Sequence, residues 1–414
     1  MIDFTDRLSR AALRMQESEI RKMSTVGARV PDLISFAGGY PDHTTFAWDD
    51  YRSIVADVLS GSDSTVLQYG PTRGYPPLLE SLGEIMKHRG TSVMTDELLI
   101  TTGSQQGLDL VGRVFLDAGD VALMELPTYT GAITAFRNVL GTLVGVRQAT
   151  DGIDLDHLDW AFMQQRAQGR RVAFLYLTPN FQNPTGVLLS RAKRLALLNW
   201  AARRDMLIVE DDPYGALYFE DSATEAETRP VKADDVEGRV IYLSTFSKTL
   251  TPGFRVAWLV APSSLMTKFE AAKQATDMCT GTLDQRIVHE AIVRGVLRRQ
   301  IPELRRQYQR RRDAMEGALT TELPDSRWNR PKGGFFIWLE LPRGVDGEAL
   351  LTTAIEQRVL YVAGTAFFVE APERNFIRLA FSGAPPARIV EGVGRLGRAV
   401  RHQLVGRPKN CITP

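Results

Sequence analysis

The chain has 414 residues, of which 44% are hydrophobic and 8% aromatic, and its formal net charge is +1. These values are typical of a two-domain globular enzyme, and the balanced charge gives no reason to expect a nucleic acid partner. The two cysteines, Cys279 and Cys411, lie far apart and the five histidines are scattered, so we expect no metal site and a reducing, cytoplasmic compartment. The charged N-terminus does not resemble a signal peptide, and no apolar run approaches the roughly 20 residues that cross a membrane.

Short β-branched runs alternate with segments of helical period, which predicts an α/β fold with a mainly parallel sheet. The predicted strands are, in chain order, DELLITT, DVALMEL, RVAFLYL, DMLIVED, RVIYLST and RVAWLVA. From about residue 287 a long charged helical run precedes a shorter αβ portion that contains PKGGFFIWLELP and NFIRLAFS. Apolar residues recur at helical spacing through this arginine-rich run, so we interpret its charges as a solvated helix face rather than a nucleic acid contact.

Polar and aromatic residues follow the predicted strands, at the edge of a parallel sheet where ligands usually bind. The first strand ends in the turn 103–107, a small polar segment whose helix N-terminus suits a phosphate. Tyr129 follows the second strand, and the loop 178–186 after the third is richer in polar side chains than a turn requires. Asp211 and Asp212 end the fourth strand, and at least one of them should meet a cation because an unpaired buried carboxylate is costly.

The stretch STFSKTLTPGFR, residues 244–255, adds hydroxyl groups, Lys248 and Arg255 at the same edge. Together these segments supply a phosphate cradle, an aromatic ring, a buried carboxylate, amide and phenol donors, and a nucleophilic lysine. This set of groups predicts a site for pyridoxal phosphate, in which the lysine forms a Schiff base and a carboxylate keeps the pyridine nitrogen protonated.

Nine stretches in order, from about residue 18 to 382, resemble the fold-type I, class I/II aminotransferases, especially the group with 2-aminoadipate and aromatic or kynurenine aminotransferases. They are ISFAGGYPD, QYGPTRGYPPLLE, TTGSQQGLDL, ELPTYTG, TPNFQNPTG, VEDDPYG, STFSKTLTPGFRVAW, PKGGFFIWLELP and NFIRLAFS. The resemblance implies a large domain with a mainly parallel seven-stranded sheet flanked by helices, plus a smaller αβ domain. It also implies reversible transfer of an α-amino group between an amino acid and a 2-oxo acid such as 2-oxoglutarate.

The resemblance also implies which residues hold the cofactor. Lys248 matches the Schiff-base lysine that also moves the proton, and Asp211 matches the partner of the pyridine nitrogen, while Asp212 is interpreted as structural. Tyr214 and Asn183 match the donors to the phenolic oxygen. The other matches are the ring Tyr129, the phosphate-site residues Ser104, Gln105, Thr245, Ser247 and Arg255, and Tyr69, which the partner subunit of a homodimer lends to the site.

On the substrate side, Arg378 matches the arginine that binds the α-carboxylate, with Asn183 beside it, and Gly38 and Gly39 match a close backbone approach to that group. Tyr40 stands where the group has leucine, which predicts a more polar or more crowded pocket. Ser18 and Arg21 resemble the residues of a short helix that meets the distal end of the substrate, and a distal carboxylate would suit them.

The resemblance also implies a division of the chain into three parts. They are an N-terminal segment that covers the active site (1–48), a large cofactor domain (49–288), and a linker helix with a small domain (289–414). Two alternatives stay open at this point. A lyase, cyclase, racemase or oxidase can use the same cofactor and fold. Some bacterial transcription regulators carry a similar domain without catalysis, but they add a DNA-binding domain for which the first 35 residues here leave no room.

Overall fold

The structure is a computed structural model that describes residues 3–27 and 30–405. Its α-helices are α1 (Glu19–Gly27), α2 (Trp48–Ser60), α3 (Pro76–His88), α4 (Ser104–Phe115), α5 (Thr130–Asn138), α6 (Leu155–Ala167), α7 (Arg191–Arg204), α8 (Ser263–Gln274), α9 (Thr282–Val293), α10 (Val296–Glu322), α11 (Leu350–Glu356) and α12 (Pro386–Val405). Its strands are β1 (Ile34–Ser35), β2 (Leu98–Thr102), β3 (Val121–Leu126), β4 (Thr142–Ala149), β5 (Gly152–Ile153), β6 (Val172–Leu177), β7 (Leu207–Asp211), β8 (Val240–Thr245), β9 (Val256–Val260), β10 (Arg327–Trp328), β11 (Phe336–Glu340), β12 (Val359–Leu360), β13 (Val362–Ala363) and β14 (Phe376–Ala380).

The central sheet has the strand order β2-β9-β8-β7-β6-β3-β4-β5. β8, β7, β6, β3 and β4 pair in parallel, whereas β9 runs antiparallel to both of its neighbours, β2 and β8. The eighth strand, β5, has two residues and forms a hairpin with β4, so seven longer strands build the sheet, as the resemblance implies. Helices pack on both faces, which explains why β3, β6, β7, β8 and β9 are almost wholly buried.

All six predicted strands are confirmed, with ends within two residues of the predicted runs. β4 was not predicted, because Gly145 and the polar residues that end the strand interrupt its apolar pattern.

A second, smaller sheet is antiparallel and has the order β10-β11-β14-β13. Helices α10, α11 and α12 cover it, and their apolar side chains share one core with β11 and β14. The N-terminal residues Ile34 and Phe36 belong to this core, and β1 pairs in parallel with β12. The N-terminal segment is therefore packed with the small sheet. The proposed domain boundaries stay a prediction.

The predicted long charged run is two helices rather than one. Gly295, whose φ of 72° is a conformation that glycine adopts readily, separates α9 from α10. The solvated-face interpretation holds for the exposed Arg306 and Arg310 but is wrong for Arg311 and Arg312, which are buried and paired with carboxylates. None of the helices in the described ranges is long and apolar enough to cross a membrane.

Candidate active site

Because β9 is antiparallel to its neighbours, a residue that precedes β9 lies at the same edge of the sheet as the residues that follow the parallel strands. The turns after β2, β3, β6, β7 and β8 all lie at the carboxyl edge of the parallel strands. Arg255 instead precedes β9, and because β9 is reversed its first residue lies at that same edge. The ten residues between β8 and β9 therefore bring Lys248 and Arg255 together with the hydroxyl groups of Thr245 and Ser247.

Lys248 lies at the centre of this edge and is half-buried. Its Nζ donates a hydrogen bond to the Gly39 carbonyl oxygen at 3.0 Å and lies 5.9 and 5.8 Å from the ring centres of Tyr214 and Phe335. Burial, followed by the positive charges of Arg378 and Arg255, lowers the pKa of Lys248 to about 8. A larger fraction of this amine is therefore neutral and nucleophilic near neutral pH than of an ordinary lysine.

Asp211, the last residue of β7, is buried and has two unlike carboxylate oxygens. Oδ2 accepts a hydrogen bond from the Tyr176 hydroxyl at 2.9 Å. Oδ1 is also buried, and no hydrogen-bond donor of the described residues reaches it. Burial raises the pKa of Asp211 to about 7, although the Tyr176 hydrogen bond lowers it. A buried acceptor without a partner fits a ligand that brings its own N–H donor, as a pyridinium does.

Asp212, directly next to it, is fully satisfied by protein groups. Its oxygens accept from Arg89 at 2.8 Å, from Asn180 at 2.9 Å and from the Tyr242 hydroxyl at 3.1 Å. The cation expected beside this pair of carboxylates is thus Arg89, and it serves Asp212. This agrees with the interpretation of Asp212 as structural and leaves Asp211 for a ligand.

The turn between β2 and α4 has the geometry of an anion cradle. Gly103 has a φ of 77°, and a Cβ atom there would lie 2.1 Å from Nη2 of Arg255, so the guanidinium lies directly against the glycine backbone. Ser104 begins α4, whose first backbone N–H groups are free to bind a ligand. The Thr245 hydroxyl donates to the Ser247 hydroxyl at 2.9 Å across the turn. Helix N-terminus, hydroxyls and guanidinium together suit a phosphate.

Tyr129 and Gln105 lie on one side of the site against a second glycine. A Cβ atom at Gly131 would lie 2.4 Å from both the Tyr129 ring and the Gln105 side-chain oxygen, so only glycine fits there. Gln105 in turn donates to the Gly131 carbonyl at 2.9 Å. Tyr214 is buried beside Lys248, and burial raises its pKa well above the ordinary value, so its hydroxyl stays protonated.

Arg378, on β14 of the small sheet, is a buried guanidinium that forms no ion pair with a carboxylate of the described residues. It donates hydrogen bonds to Asn183 Oδ1 at 2.9 Å and to the Ala37 carbonyl oxygen. Its Nε is buried and has no hydrogen-bond partner among the described residues. The rings of Phe336 and Phe367 lie 4.4 and 5.0 Å from it. Burial lowers the pKa of Arg378 to about 10. A buried, unneutralised guanidinium fits a carboxylate ligand.

The segment 37–40 joins these groups through its backbone. The carbonyl oxygens of Ala37 and Gly39 accept from Arg378 and Lys248, and that of Tyr40 accepts from the Ser382 hydroxyl at 2.7 Å. A Cβ atom at Gly39 would lie 2.5 Å from the Phe336 ring, and one at Gly38 would lie 2.5 Å from the Tyr40 ring. The two glycines therefore allow the close packing that brings the segment to the site.

Three predicted site residues need separate treatment. Tyr69 is 77% exposed, on the segment before α3. Ser18 directly precedes α1, and its carbonyl accepts from the backbone of Lys22. Arg21 lies within α1, but its side chain lies outside the described residues. Of the other predicted residues, Gly39, Tyr214, Asp211, Arg255 and Arg378 lie near Lys248. Tyr176 was not predicted, because an aromatic residue inside an apolar strand is indistinguishable from an ordinary core residue.

Charge distinguishes the site from its surroundings. Among the described residues, Lys248, Arg255 and Arg378 form no ion pair with a carboxylate, and Asp211 is the one carboxylate whose charge acts on Lys248. This excess of positive charge favours ligands that carry both a phosphate and a carboxylate.

Comparison with known proteins identifies the family. The model of the family described as aminotransferase class I and II matches residues 32–396. The chain belongs to this family. The aminotransferase is 39% identical to aromatic-amino-acid aminotransferase 1 of Thermococcus litoralis, over 97% of this chain and 96% of that protein. It is 40% identical to the 2-aminoadipate transaminase of Thermus thermophilus, over 97% of this chain and 98% of that one.

A solved structure agrees with the sequence comparison. The kynurenine aminotransferase of Pyrococcus horikoshii, in complex with PMP, is 39% identical to the aminotransferase and superposes with a TM-score of 0.91 over 97% of this chain and 98% of that one. The fold is thus fold-type I, and the cofactor is pyridoxal phosphate. The residues present fit this cofactor, because Asp211 offers an unpaired buried acceptor, the Arg255 guanidinium lies against Gly103 at the start of α4, and Lys248 supplies an amine of lowered pKa.

Proposed function

We propose that this aminotransferase moves the α-amino group of both acidic and apolar amino acids, 2-aminoadipate or glutamate on one side and aromatic or aliphatic ones on the other, to 2-oxo acids such as 2-oxoglutarate. The observation that carries the proposal is the buried Arg378, whose guanidinium lies near Lys248 and pairs with no carboxylate of the described residues. The printed activities of the relatives, on aromatic amino acids and on 2-aminoadipate, support the breadth of substrates.

In this proposal Lys248 would hold the cofactor through its amine and, once released, would move a proton between Cα of the substrate and C4′ of the cofactor. When bound, pyridoxal phosphate supplies a ring that withdraws electrons from the reacting carbon. Asp211 holds a proton on the ring nitrogen, and Tyr214 and Asn183 bind the phenolic oxygen. Arg378 binds the α-carboxylate and orients Cα toward the amine of Lys248.

On the cofactor side, we assign the phosphate to the anion cradle of the β2–α4 turn and the β8–β9 loop. Tyr129, whose ring is packed against Gly131, would stack on the cofactor ring. The residues assigned to the phosphate are Ser104, Gln105, Thr245, Ser247 and Arg255.

A half-reaction without a second substrate tests the activity. With an amino donor alone, we expect the bound cofactor to convert stoichiometrically to its amine form, with one equivalent of the matching oxo acid released. Lys248→Ala should lose this conversion by orders of magnitude while its circular dichroism stays unchanged. Ammonia release, racemised donor or hydrogen peroxide without the amine form would instead assign a lyase, racemase or oxidase to the site.

Substrate choice at the distal end of the pocket has its own test. Met23 of α1 packs on the cluster that contains Phe367, the ring that contacts Arg378. Helix α1 is therefore separated from Arg378 by the side chains of this one cluster. This position supports a role for Ser18 and Arg21 in binding the far end of the substrate, with Tyr40 lining the same pocket.

We expect Arg21→Ala to reduce kcat/KM for glutamate and 2-aminoadipate roughly 10-fold to 100-fold, the value of a lost charged hydrogen bond, and to leave leucine and phenylalanine nearly unchanged. Lys22→Ala is the matched control, because Lys22 lies on the same helix and pairs with the exposed Glu19 at 2.7 Å. Equal losses for acidic and apolar donors would assign Arg21 to the stability of the helix.

We further propose a homodimer in which the exposed Tyr69 completes the phosphate site of the partner subunit, and a cytoplasmic location. A hybrid of one Tyr69→Phe protomer and one Lys248→Ala protomer tests the sharing of Tyr69. In a shared arrangement the hybrid keeps one site with both native residues and half of the native activity. If Tyr69 acted within its own chain, the hybrid would show only half of the activity of Tyr69→Phe.

A further inference from the structure

Tyr176 is a buried phenol outside the residues assigned to the cofactor. Tyr176 lies on β6 and pairs with Val209 of β7. Asp211 follows Val209 by two residues on β7, so the side chains of Tyr176 and Asp211 are diagonal neighbours on one face of the sheet. The Tyr176 ring is 0% exposed and packs edge-on against Phe136. This packing fixes the hydroxyl, which donates to Asp211 Oδ2 at 2.9 Å.

We propose that Tyr176 is a positioning residue for Asp211: by occupying Oδ2 it directs the unpaired oxygen, Oδ1, at the ring nitrogen of the cofactor. The inference rests on the proposed role of Asp211. A carboxylate on an extended strand rotates about its Cβ–Cγ bond, and two equivalent oxygens would compete for one donor. With one oxygen bound to a phenol that packing holds in place, a single orientation of the carboxylate remains.

The same hydrogen bond determines where the proton of the Asp211–nitrogen pair resides. The groups that face Asp211 are Tyr176 from β6, Asp212 directly after β7, Tyr214 from the same loop and Lys248 from the β8–β9 loop. Burial and Asp212 favour the protonated carboxyl, whereas Tyr176 and Lys248 favour the carboxylate. Without Tyr176, Asp211 takes the proton more readily, and the ring nitrogen loses it.

The test compares Tyr176→Phe with Tyr242→Phe. Tyr242 is a matched control, because it is also buried in the central sheet and also donates to a carboxylate, but its partner is Asp212 at 3.1 Å. Two measurements are made on each full-length variant. Carbon-13 NMR of aspartate carboxyl groups follows the titration of Asp211 in the cofactor-free enzyme, and nitrogen-15 NMR of labelled pyridoxal phosphate follows protonation of the ring nitrogen in the holoenzyme.

In Tyr176→Phe we expect the midpoint of Asp211 to move up by roughly one to two pH units, as for the loss of a hydrogen bond to a charged group, and the ring nitrogen to lose its proton at a lower pH than in wild type. Tyr242→Phe should leave both midpoints unchanged. Equal midpoints in the two variants would overturn the inference.

Asp211→Asn separates this inference from the proposed function. A ring nitrogen that stays protonated in Asp211→Asn would refute the role of Asp211 itself. A deprotonated nitrogen in Asp211→Asn, combined with an unchanged one in Tyr176→Phe, would refute only the role of Tyr176. If Tyr176→Phe does not fold, 3-fluorotyrosine at position 176 retains the ring and donates more strongly, so the Asp211 midpoint should move down; an unmoved midpoint would also overturn the inference.

Discussion

The lowered pKa of Lys248 leads to a prediction about the cofactor-free enzyme. Burial and the charges of Arg378 and Arg255 bring the pKa from the ordinary 10.5 to about 8. At pH 7 about one-tenth of an amine with a pKa of 8 is neutral, against roughly three in ten thousand of an amine with a pKa of 10.5. Lys248 should therefore supply roughly 300 times more of the nucleophilic form at pH 7 than an ordinary lysine does.

Competitive labelling with a trace of acetic anhydride measures this directly. The labelling rate of each lysine is read by mass spectrometry of its peptide between pH 6 and 11, in enzyme from which the cofactor has been removed. The labelling rate of Lys248, corrected for the pH dependence of the reagent itself, should rise with pH and level off above about pH 9. A Lys248 midpoint at 10.5 would refute the argument from burial and charge.

Removing one positive charge tests the cause of the shift. Arg378→Met should move the Lys248 midpoint up, because the charge of this arginine is the largest contribution after burial, and Arg255→Met should do so to a smaller extent. Arg113→Met, at an exposed arginine that pairs with Asp109, is the control and should leave the midpoint in place. If the Lys248 midpoint is the same in all three variants as in wild type, burial alone causes the lowered pKa of Lys248.

Three further predictions follow from the same contacts. The lowered pKa of Lys248 means that the cofactor-free fold loses stability as pH falls from 10.5 through 8, so Lys248→Met should raise its melting temperature more at pH 7 than at pH 10. Gly131→Ala should weaken cofactor binding at least roughly 10-fold in fluorescence titrations, because its Cβ would lie 2.4 Å from the Tyr129 ring, whereas Gly61→Ala, with open space around it, should bind normally. Arg89→Met should lower the free energy of unfolding in urea by roughly 3–5 kcal/mol, because it leaves the charge of Asp212 buried without a cation; a loss below about 1 kcal/mol would show that the pair is solvated.

Site residues that stand directly after strands were predictable because their positions follow from two short-range patterns. Alternating apolar runs locate the strands, and a parallel sheet brings the ends of those runs together. Lys248, Asp211 and Tyr129 were predicted in this way, and Asp211 lies close enough to Lys248 to act on its pKa. Arg378 lies on the other sheet, and the resemblance rather than any pattern pointed to it.

The features that sequence did not reveal depend on pairing between distant segments. Tyr176 looks like any aromatic residue of a buried strand until Asp211 lies next to it. The different surroundings of Asp211 and Asp212 likewise depend on Arg89, more than 100 residues earlier in the chain. Strand β4 was not predicted because its pairing with β3 stabilises it more than the β propensity of its own residues does.

The two sheets each carry one part of the site. Lys248, Asp211 and the anion cradle are all carried by the central sheet, and the loop between β8 and β9 is anchored at both ends by neighbouring strands. Arg378 is carried by the small sheet, together with the Phe336 and Phe367 rings that contact it. Rotation of one sheet relative to the other would change the distance from the arginine to the amine without altering the cofactor contacts. A rotation of this kind would move the carboxylate site as a rigid body, while the reacting groups on the central sheet kept their alignment.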